Sequence, residues 1–378
     1  MKKSVSRVSP AKKSEKKTSS RKKATKTTAK RKSVKRPVKK KVVKQSAKKI
    51  RREKTIKSTS TNSPIQHVVI IFKENHGFDN YFGTFPGANG DPNMLHLPDP
   101  PQNDPNHTHE TWVKRAADAV SGEYIESDIP NYFALAKQFT LCDNYYTDVA
   151  GPSTPNHLML VAADSPIVDN PHKRDPASMQ PPYNIPSLPA NLQKAGITWK
   201  NYGGFVFDYI NALKGNPANV SAGRFAVDAA AGKIPQVSWV FGAKNMSEHP
   251  RENVADGDNW SAAQIKAIIQ GGLWANTAIF ITWDCWGGWY DHVINPPEVE
   301  KWTDGTQFKY GGRVGCIVVS PYAKSGYISH VLHSQISTIK FIETLFGLAP
   351  INHRDKAANG FSDCFDFTQK PLSPPVFP

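Results

Sequence analysis

Short runs of β-branched and aromatic residues recur along the chain, and stretches with helical spacing of apolar residues separate them. The runs predict buried strands, because they are short, apolar and bounded by polar or Gly-containing segments. Strands are predicted at residues 65–72, 197–204, 236–241, 278–284 and 314–321. Helices are predicted at residues 131–139, 187–194, 259–270 and 337–346. This alternation predicts an α/β fold with a central, mostly parallel sheet and helices on both faces.

Polar residues follow two of these predicted strands directly. Glu74 and Asn75 come just after the first strand, and Asp284 ends the strand at 278–284. In open α/β sheets, ligands bind beyond the carboxyl ends of the strands. The pattern therefore predicts an active site at that edge of the sheet. A long Pro- and Gly-rich loop at 83–109 is a further candidate, since such loops in compact domains usually carry function or are disordered.

Charge is distributed unevenly along the chain. The 378 residues include 48 Lys and Arg against 32 Asp and Glu, a formal net charge of +16. Residues 1–57 contain 26 of the basic residues and only two of the acids, which leaves 22 basic and 30 acidic residues in the remainder. The basic character therefore belongs to the N-terminal segment, and the body of the chain is acidic.

Residues 1–63 are predicted to be a disordered basic tail with its linker, and residues 64–378 a catalytic domain. The tail lacks aromatic residues and an apolar face, so it cannot bury enough surface to offset its ordering entropy. Its charge density predicts salt-sensitive binding to nucleic acid or an anionic membrane. A solubilising extension with no dedicated partner is the alternative.

No secretory signal peptide and no transmembrane segment can be recognised in the sequence. The compartment is unknown, but a cytoplasmic or nucleoid-associated location is favoured over secretion. Four cysteines, none in a CxxC pair, are too few and too scattered to predict a disulfide scaffold.

Several residue clusters could support chemistry, and each also has a structural interpretation. Glu74 and Asn75 offer oxygen ligands to a hard cation, or they form a solvated strand end. Asp284 precedes a Gly-Gly pair that would allow close backbone approach, or it belongs to a structural turn. Ser153 lies between Pro152 and Pro155, which suits a rigidly held nucleophile or a helix N-cap.

Six histidines lie in polar contexts: His107, His109, His249, His292, His330 and His333. A protonated imidazole can hold phosphate oxygens or donate a proton to a leaving alkoxide. A single histidine is usually a surface or core residue, but several near predicted strand ends favour a catalytic function.

Six segments together resemble a known family: HVVIIFKENHGFDNYFGTFPG (67–87), FTLCDNYYTDVAGPSTPNH (139–157), SEHP (247–250), ITWDCWGGWYDHVINPP (281–297), GGRVGCIVVSPYAKSGYISH (311–330) and STIKFIETLFGL (337–348). The chain resembles the bacterial phosphoesterase family of phospholipases C and acid phosphatases, within the alkaline-phosphatase-like superfamily. The resemblance runs from about residue 65 to the end, in the order of the family's motifs.

The resemblance implies one divalent metal ion, of unknown identity, bound by Glu74, Asn75, Ser153, Asp284 and Cys285. It also implies that Ser153 is the covalent nucleophile, with further catalytic roles for His107, His249 and His292. Cys285 departs from the family, which usually has a second acid there. A thiolate at this position would favour zinc-like ions, whereas a protonated thiol would weaken the site.

The implied activity is metal-dependent hydrolysis of a phosphate ester, of the phospholipase C type, with a phospholipid among the candidate substrates. Two alternatives stay open. One is an acid phosphatase that acts on phosphomonoesters. The other is a catalytically impaired relative that binds nucleic acid or an anionic surface.

Overall fold

The computed structural model describes residues 63–301 and 307–378. These residues belong to one compact unit, Lys57–Pro378. The predicted basic tail at residues 1–62 lies outside the described residues, so its disorder and the predicted domain boundary stay predictions. Within the described ranges, no helix has the length and apolar character that crossing a membrane requires.

The strands of the described residues are β1 (His67–Lys73), β2 (Thr140–Cys142), β3 (Tyr145–Tyr146), β4 (Trp199–Tyr202), β5 (Asn219–Val220), β6 (Val237–Phe241), β7 (Thr277–Trp283), β8 (Glu298–Lys301), β9 (Gln307–Lys309), β10 (Cys316–Val319), β11 (Tyr327–Ser329) and β12 (His333–Ser334). The helices are α1 (Phe78–Phe82), α2 (His109–Val113), α3 (Arg115–Asp118), α4 (Pro130–Gln138), α5 (Ser153–Ala162), α6 (Leu188–Ala195), α7 (Arg224–Ala230), α8 (Val254–Gln270), α9 (Ile336–Phe346) and α10 (His353–Ala357). Short 3-10 helices lie at Ala177–Met179, Phe205–Tyr209 and Trp274–Asn276.

Eight strands form the central sheet in the order β11–β2–β10–β7–β1–β6–β4–β5. β1 pairs in parallel with β6 and β7, and parallel pairing continues through β4 to β5. β10 runs antiparallel to both of its neighbours, β2 and β7, while β11 pairs with β2 in parallel. The predicted mostly parallel α/β sheet is therefore confirmed, with one antiparallel strand that makes it mixed.

Both faces of the sheet are covered. Residues Val68–Ile71 of β1 and Ala278–Ile281 of β7 are completely buried, and successive strand residues point to opposite faces. The helices pack in two groups, one with α8 contacting α4 and α7, and the other with α5 contacting α6 and α9. The long apolar runs of the sequence are the signature of strands buried on both sides.

The predicted elements are confirmed within a few residues, with two informative differences in the helices. Helix α8 begins at Val254 rather than at residue 259, because the Asp99 carboxylate accepts the backbone N–H groups of Val254 and Ala255. This cap comes from a distant loop, so local sequence cannot show it. Ser187 stands at the N-cap of α6 as expected, but its hydroxyl makes no capping hydrogen bond.

The sequence analysis treated residues 151–157 as a turn and offered a helix only through the alternative that Ser153 is an N-cap. Pro152 occupies the N-cap position instead, with no side-chain capping hydrogen bond. The structure shows that the turn leads directly into a helix whose first residue is Ser153. Pro155 is compatible with this helix because the first turn has free N–H groups and needs no donor at that position. The candidate nucleophile therefore stands at a helix N-terminus.

Candidate active site

Three strand ends meet at one edge of the sheet. β1 is flanked by β6 and β7, with Phe72 opposite Phe241 and Lys73 opposite Trp283. The next residues are joined by backbone hydrogen bonds, from Glu74 N to Ser247 O at 2.9 Å and from Asp284 N to Lys73 O at 3.0 Å. This confirms that the polar residues after these strands lie together.

Asn75 is held in an unusual backbone conformation. Its φ is 63°, in the left-handed region that Asn tolerates better than most residues. Its N–H donates to Asp284 Oδ1 at 2.9 Å, and its carbonyl accepts from Trp289 Nε1 at 3.0 Å. A Cβ at Gly287 would lie 2.0 Å from Asn75 O, so the predicted close backbone approach at the Gly-Gly pair is confirmed.

Ser153 lies within reach of this fixed asparagine. Its Oγ donates to Asn75 Oδ1 at 3.1 Å and lies 4.0 Å from Cys285 Sγ. The preceding turn is fixed by Asn156, which accepts from Val149 N at 2.8 Å and donates to Pro152 O at 2.9 Å. The hydroxyl is therefore positioned from both sides, by the turn and by its partner.

Asp284 pairs with a histidine that sequence reasoning missed. His157 Nε2 lies 3.3 Å from Asp284 Oδ2, and both side chains are completely buried. Burial opposes the charge of Asp284, but His157 and the Ser153 hydroxyl outweigh it and lower the pKa of the carboxyl to about 2. His157 follows Ser153 by one turn of α5, so the i, i+4 spacing was the available signal. It could be used only once the segment was known to be helical.

Several buried polar atoms here lack a hydrogen-bond partner among the described residues: Asn75 Nδ2, Asp284 Oδ2 and both ring nitrogens of His157. The approach of His157 to Asp284 is close but not aligned as a hydrogen bond. Burial and the negative charge of Asp284 raise the pKa of the half-buried Glu74 carboxyl. The free Asp284 oxygen beside the Glu74 carboxyl fits a bound cation, which would favour both charged forms, whereas the free side-chain N–H of Asn75 fits a hydrogen-bond acceptor.

Cys285 takes part in this cluster and also packs against apolar groups. Its Sγ donates to Asn75 Oδ1 at 3.0 Å, and its side chain is completely buried. It belongs to a small apolar cluster with Trp112, Ala150 and Trp286. Burial raises the pKa of the thiol well above its usual value. The side chain therefore lies at the predicted metal ligands, and the protein without bound metal favours its protonated form.

His249 is placed at the site by a buried anchor. The preceding residue, Glu248, has a positive φ of 68° and is completely buried. Its carboxylate is fixed by four groups: Lys73, Tyr81, Tyr132 and Trp283. The same segment is bonded to the first strand end, because Ser247 O accepts from Glu74 N at 2.9 Å. The structure therefore brings His249 to the same edge as the predicted metal ligands.

His107 lies at the border of the site. Its ring Nδ1 pairs with Pro105 O at 2.7 Å, and its carbonyl accepts from Trp286 Nε1 at 3.2 Å. Trp286 is the neighbour of Cys285, so the loop that carries His107 is attached to the site. Within the described residues, no hydrogen bond joins the His107 ring to Ser153.

His292 lies in a different group of residues, which we call the Arg313 cluster: Asp79, Asp291, His292 and Arg313. Its Nδ1 pairs with Asp79 Oδ2 at 2.6 Å. Arg313 is paired with Asp79 at 2.8 Å and with Asp291 at 3.1 Å. We call the residues described first the Ser153 group: Glu74, Asn75, Ser153, His157, Asp284 and Cys285. The structure does not bring His292 into hydrogen-bond contact with this group, and the catalytic role of His292 stays a prediction.

The phosphoesterase family model matches residues 65–105 and 96–349. Phospholipase C B of Mycobacterium tuberculosis is 26% identical, over 81% of this chain and 78% of that protein. The non-hemolytic phospholipase C of Pseudomonas aeruginosa is also 26% identical, over 76% of this chain and 55% of that protein. A solved protein of the alkaline phosphatase superfamily from Vibrio parahaemolyticus aligns with a TM-score of 0.43 and 12% identity, over 83% of this chain and 72% of that one.

Since the family model covers most of the described domain, the chain belongs to the phosphoesterase family. The enzyme class predicted from the sequence, a hydrolase of phosphoric esters, is confirmed.

Proposed function

We propose that this protein is a metal-dependent, phospholipase C-like hydrolase of phosphoric diesters, with Ser153 as its covalent nucleophile. One observation carries the proposal. The Ser153 hydroxyl contacts Asn75, whose backbone binds Asp284, in a group where several buried polar atoms lack a hydrogen-bond partner among the described residues. The group lies where α/β sheets bind ligands.

The residues of the site fit one divalent cation. Asn75 Oδ1 lies 3.1 Å from Ser153 Oγ and 3.0 Å from Cys285 Sγ, and Asp284 has a buried oxygen with no hydrogen bond among the described residues. Glu74 would supply a second carboxylate. A metal ion held by these five residues would lower the pKa of the serine hydroxyl and shield the phosphate charge.

Ser153 then attacks phosphorus in line with the leaving oxygen, and its hydroxyl proton passes to solvent. The new Oγ–P bond gives a phosphoryl-serine, while the bond from phosphorus to the leaving oxygen breaks. Water then hydrolyses the phosphoryl-serine, which releases the phosphomonoester product and restores the Ser153 hydroxyl. The N-terminus of α5 adds its partial positive charge at the position where the phosphate group would lie.

The leaving oxygen needs a proton, and two histidines are available for this step. His249 lies two residues after Ser247, whose carbonyl accepts from Glu74 N, and His107 lies on the loop attached to Trp286. Either imidazolium could protonate the alkoxide as a general acid. His249 is our first choice because its segment is bonded to a predicted metal ligand, and its ring contact to Pro250 O, at 3.3 Å, is longer than that of His107 to Pro105 O, at 2.7 Å.

The relatives favour a diester substrate, because those reported above carry the name phospholipase C. A phospholipid is the corresponding substrate class for this chain. The basic tail would attach the enzyme loosely to nucleic acid or to an anionic membrane, since its dense positive charge neutralises phosphates without reading bases. We favour a cytoplasmic or nucleoid-associated location over secretion.

A two-substrate assay tests the proposed activity. Purified protein would be assayed with p-nitrophenyl phosphorylcholine and p-nitrophenyl phosphate, each with a series of divalent metals and with EDTA. We expect metal-dependent turnover that is greater for the diester and is lost in EDTA. Greater turnover of the monoester would indicate an acid phosphatase instead. No turnover with any metal would indicate the impaired, surface-binding relative.

Cys285→Asp tests the contribution of the thiol to metal choice. It restores a second acid beside Asp284, so activity should shift towards hard ions such as Mg²⁺ or Mn²⁺. The wild type should prefer zinc-like ions. Identical metal preference in the two proteins would exclude Cys285 as a ligand, and loss of stability in the variant would indicate a buried unpaired carboxylate.

A further inference from the structure

Three of the four cysteines lie in a single buried region, away from Cys285. Cys142 and Cys316 are cross-strand partners on β2 and β10, and side chains at such positions share one face of the sheet. Cys364, in the C-terminal segment, brings its Sγ to 3.8 Å from Cys142 Sγ. All three side chains are completely buried, and none of them forms a disulfide.

His333 of β12 completes the group. A nitrogen of its ring lies within 4.8 Å of ligand atoms on both Cys142 and Cys364. Its Nε2 pairs with Asp363 Oδ1 at 3.0 Å, whereas its Nδ1 is buried without a hydrogen-bond partner in the described part of the chain. A buried ring nitrogen with no partner needs an explanation, and a metal ion is one that also accounts for the neighbouring thiols.

We propose that Cys142, His333 and Cys364, whose ligand atoms all lie within 4.8 Å of one another, form a binding site for a thiolate-preferring divalent cation of the zinc class. The site shares no residue with the Ser153 group. Cysteine sulfur and histidine nitrogen are the usual ligands of zinc in structural sites. At a zinc–sulfur distance of about 2.3 Å, tetrahedral geometry places two sulfurs about 3.8 Å apart, which matches Cys142 and Cys364.

Asp363 orients the histidine instead of binding the ion. Its Oδ1 holds His333 Nε2, and its Oδ2 accepts from the Ser329 hydroxyl. A carboxylate on the second ring nitrogen is the usual support of a metal-ligating histidine, because it fixes the tautomer and the ring orientation. Phe361 stacks on the same ring, with centroids 4.5 Å apart. The imidazole is therefore held with Nδ1 as the ring nitrogen that is available to bind the ion.

The site would join distant parts of the chain. Cys142 belongs to the central sheet, His333 to the small sheet that β12 forms with β3, and Cys364 to the C-terminal segment. On binding, the two cysteines release their thiol protons to solvent, and the ion links the three segments. Because the binding free energy of such a site adds to folding free energy, the expected role is stabilisation of the C-terminal segment.

Cobalt binding tests this proposal in the full-length protein with Cys285→Ser, which removes the thiol of the Ser153 group. Reduced protein is titrated with Co²⁺ alone, and sulfur-to-cobalt charge-transfer absorption is followed in the near ultraviolet. We expect a band that saturates at one equivalent and is displaced by Zn²⁺. Adding Cys364→Ser should remove at least half of it. No band in the Cys285→Ser protein, or an unchanged band after Cys364→Ser, would overturn the proposal.

Two further measurements keep the result interpretable if the Cys364 variant fails to fold. Zn²⁺ should raise the thermal midpoint of the Cys285→Ser protein by more than Mg²⁺ does at the same concentration, since Mg²⁺ can bind only the oxygen ligands of the Ser153 group; equal effects would contradict a thiolate site. Intact mass under non-reducing conditions should show four free thiols in the wild type. A Cys142–Cys364 disulfide in place of bound metal would overturn the proposal without affecting the Ser153 mechanism.

Discussion

Two groups of buried polar residues lie on either side of the Gly287–Gly288 turn, and they differ in how their charges are satisfied. In the Arg313 cluster, no buried side-chain nitrogen or oxygen lacks a hydrogen-bond partner among the described residues. In the Ser153 group, atoms of Asn75, Asp284 and His157 lack one. Since buried polar groups are normally satisfied, the first group is self-sufficient, and the second has free atoms that our proposal assigns to a bound ion and substrate.

Every side-chain nitrogen of Arg313 donates a hydrogen bond within the protein. Its guanidinium donates to Asp79 and Asp291 and to the carbonyl oxygens of Asn89 and Asp143. It also lies 4.3 Å from the centroid of the Phe78 ring. These five partners satisfy the buried cation from within the protein. Asp79, Asp291 and His292 lie close enough together to hold a metal ion, but Arg313 already supplies the cation.

The largest expected effect is on turnover. Ser153→Ala removes the proposed nucleophile from the unsatisfied group and should lower kcat by at least about 10³-fold. Its fold should be unchanged, because the turn is held by Asn156 rather than by the hydroxyl. Phosphodiester hydrolysis and near-ultraviolet circular dichroism check this. Ser221→Ala, at an exposed serine, is the control, and near-wild-type turnover of Ser153→Ala would contradict the covalent mechanism.

Arg313→Met should instead affect stability. It leaves the Asp79 and Asp291 carboxyls buried without their cation, which typically costs about 3–5 kcal/mol. Chemical denaturation measures the loss. Arg224→Met is the matched control, because Arg224 is largely exposed in its pair with Asp228 and such pairs contribute about 0–1 kcal/mol.

His292→Asn separates the two groups more finely. Because its ring pairs with Asp79 in the satisfied cluster, we expect kcat to fall by less than about 10-fold, below the usual effect of losing a general acid or base. Steady-state kinetics on the diester provides the measurement. A fall as large as that of Ser153→Ala would place His292 in the catalytic group after all.

A buried acid can also be satisfied by a proton, as Glu343 illustrates. Burial and the neighbouring Asp355 raise the pKa of Glu343 to about 8, so its contribution to stability is present below about pH 4.3 and is lost as the pH rises through 8. Glu343→Gln should therefore flatten the decline of the thermal midpoint between pH 5 and pH 9. The exposed Glu110→Gln is the control. Parallel pH profiles of wild type and Glu343→Gln would refute this assignment.

The smallest effect on turnover is expected from deleting residues 1–57. The family match begins at residue 65, so specific activity on a soluble substrate should stay within about two-fold of wild type. Binding to DNA or to anionic vesicles should be lost, while that of the intact protein should fall steeply as salt rises. DNA binding retained by the acidic body would show that the binding surface lies elsewhere.

Sequence reasoning located the strand ends well, because a strand buried on both faces leaves a local apolar run. Glu74, Asn75 and Asp284 were therefore found at the correct edge. It missed His157, whose pairing with Asp284 depends on a helix that starts directly at Ser153. Such partners come from separate elements and leave no local pattern.

The dependence on partners from separate elements also explains two other differences between the sequence analysis and the structure. His292 was grouped with the catalytic residues because it matches the family's sequence motif, but its environment is set by Arg313 and Asp79 from other segments. The metal-ligating role proposed for Cys142 and Cys364 depends on residues more than 200 positions apart in sequence. Composition alone indicated only scattered buried thiols.

Trapping the covalent intermediate would show most directly whether Ser153 is the nucleophile. Protein mixed with a diester substrate is quenched in acid within the first turnovers and analysed by peptide mass spectrometry. We expect a phosphoryl adduct on the peptide that contains Ser153. It should form only with metal present and should be absent from Ser153→Ala. Substrate turnover at the normal rate with no adduct, or with an adduct on another residue, would contradict it.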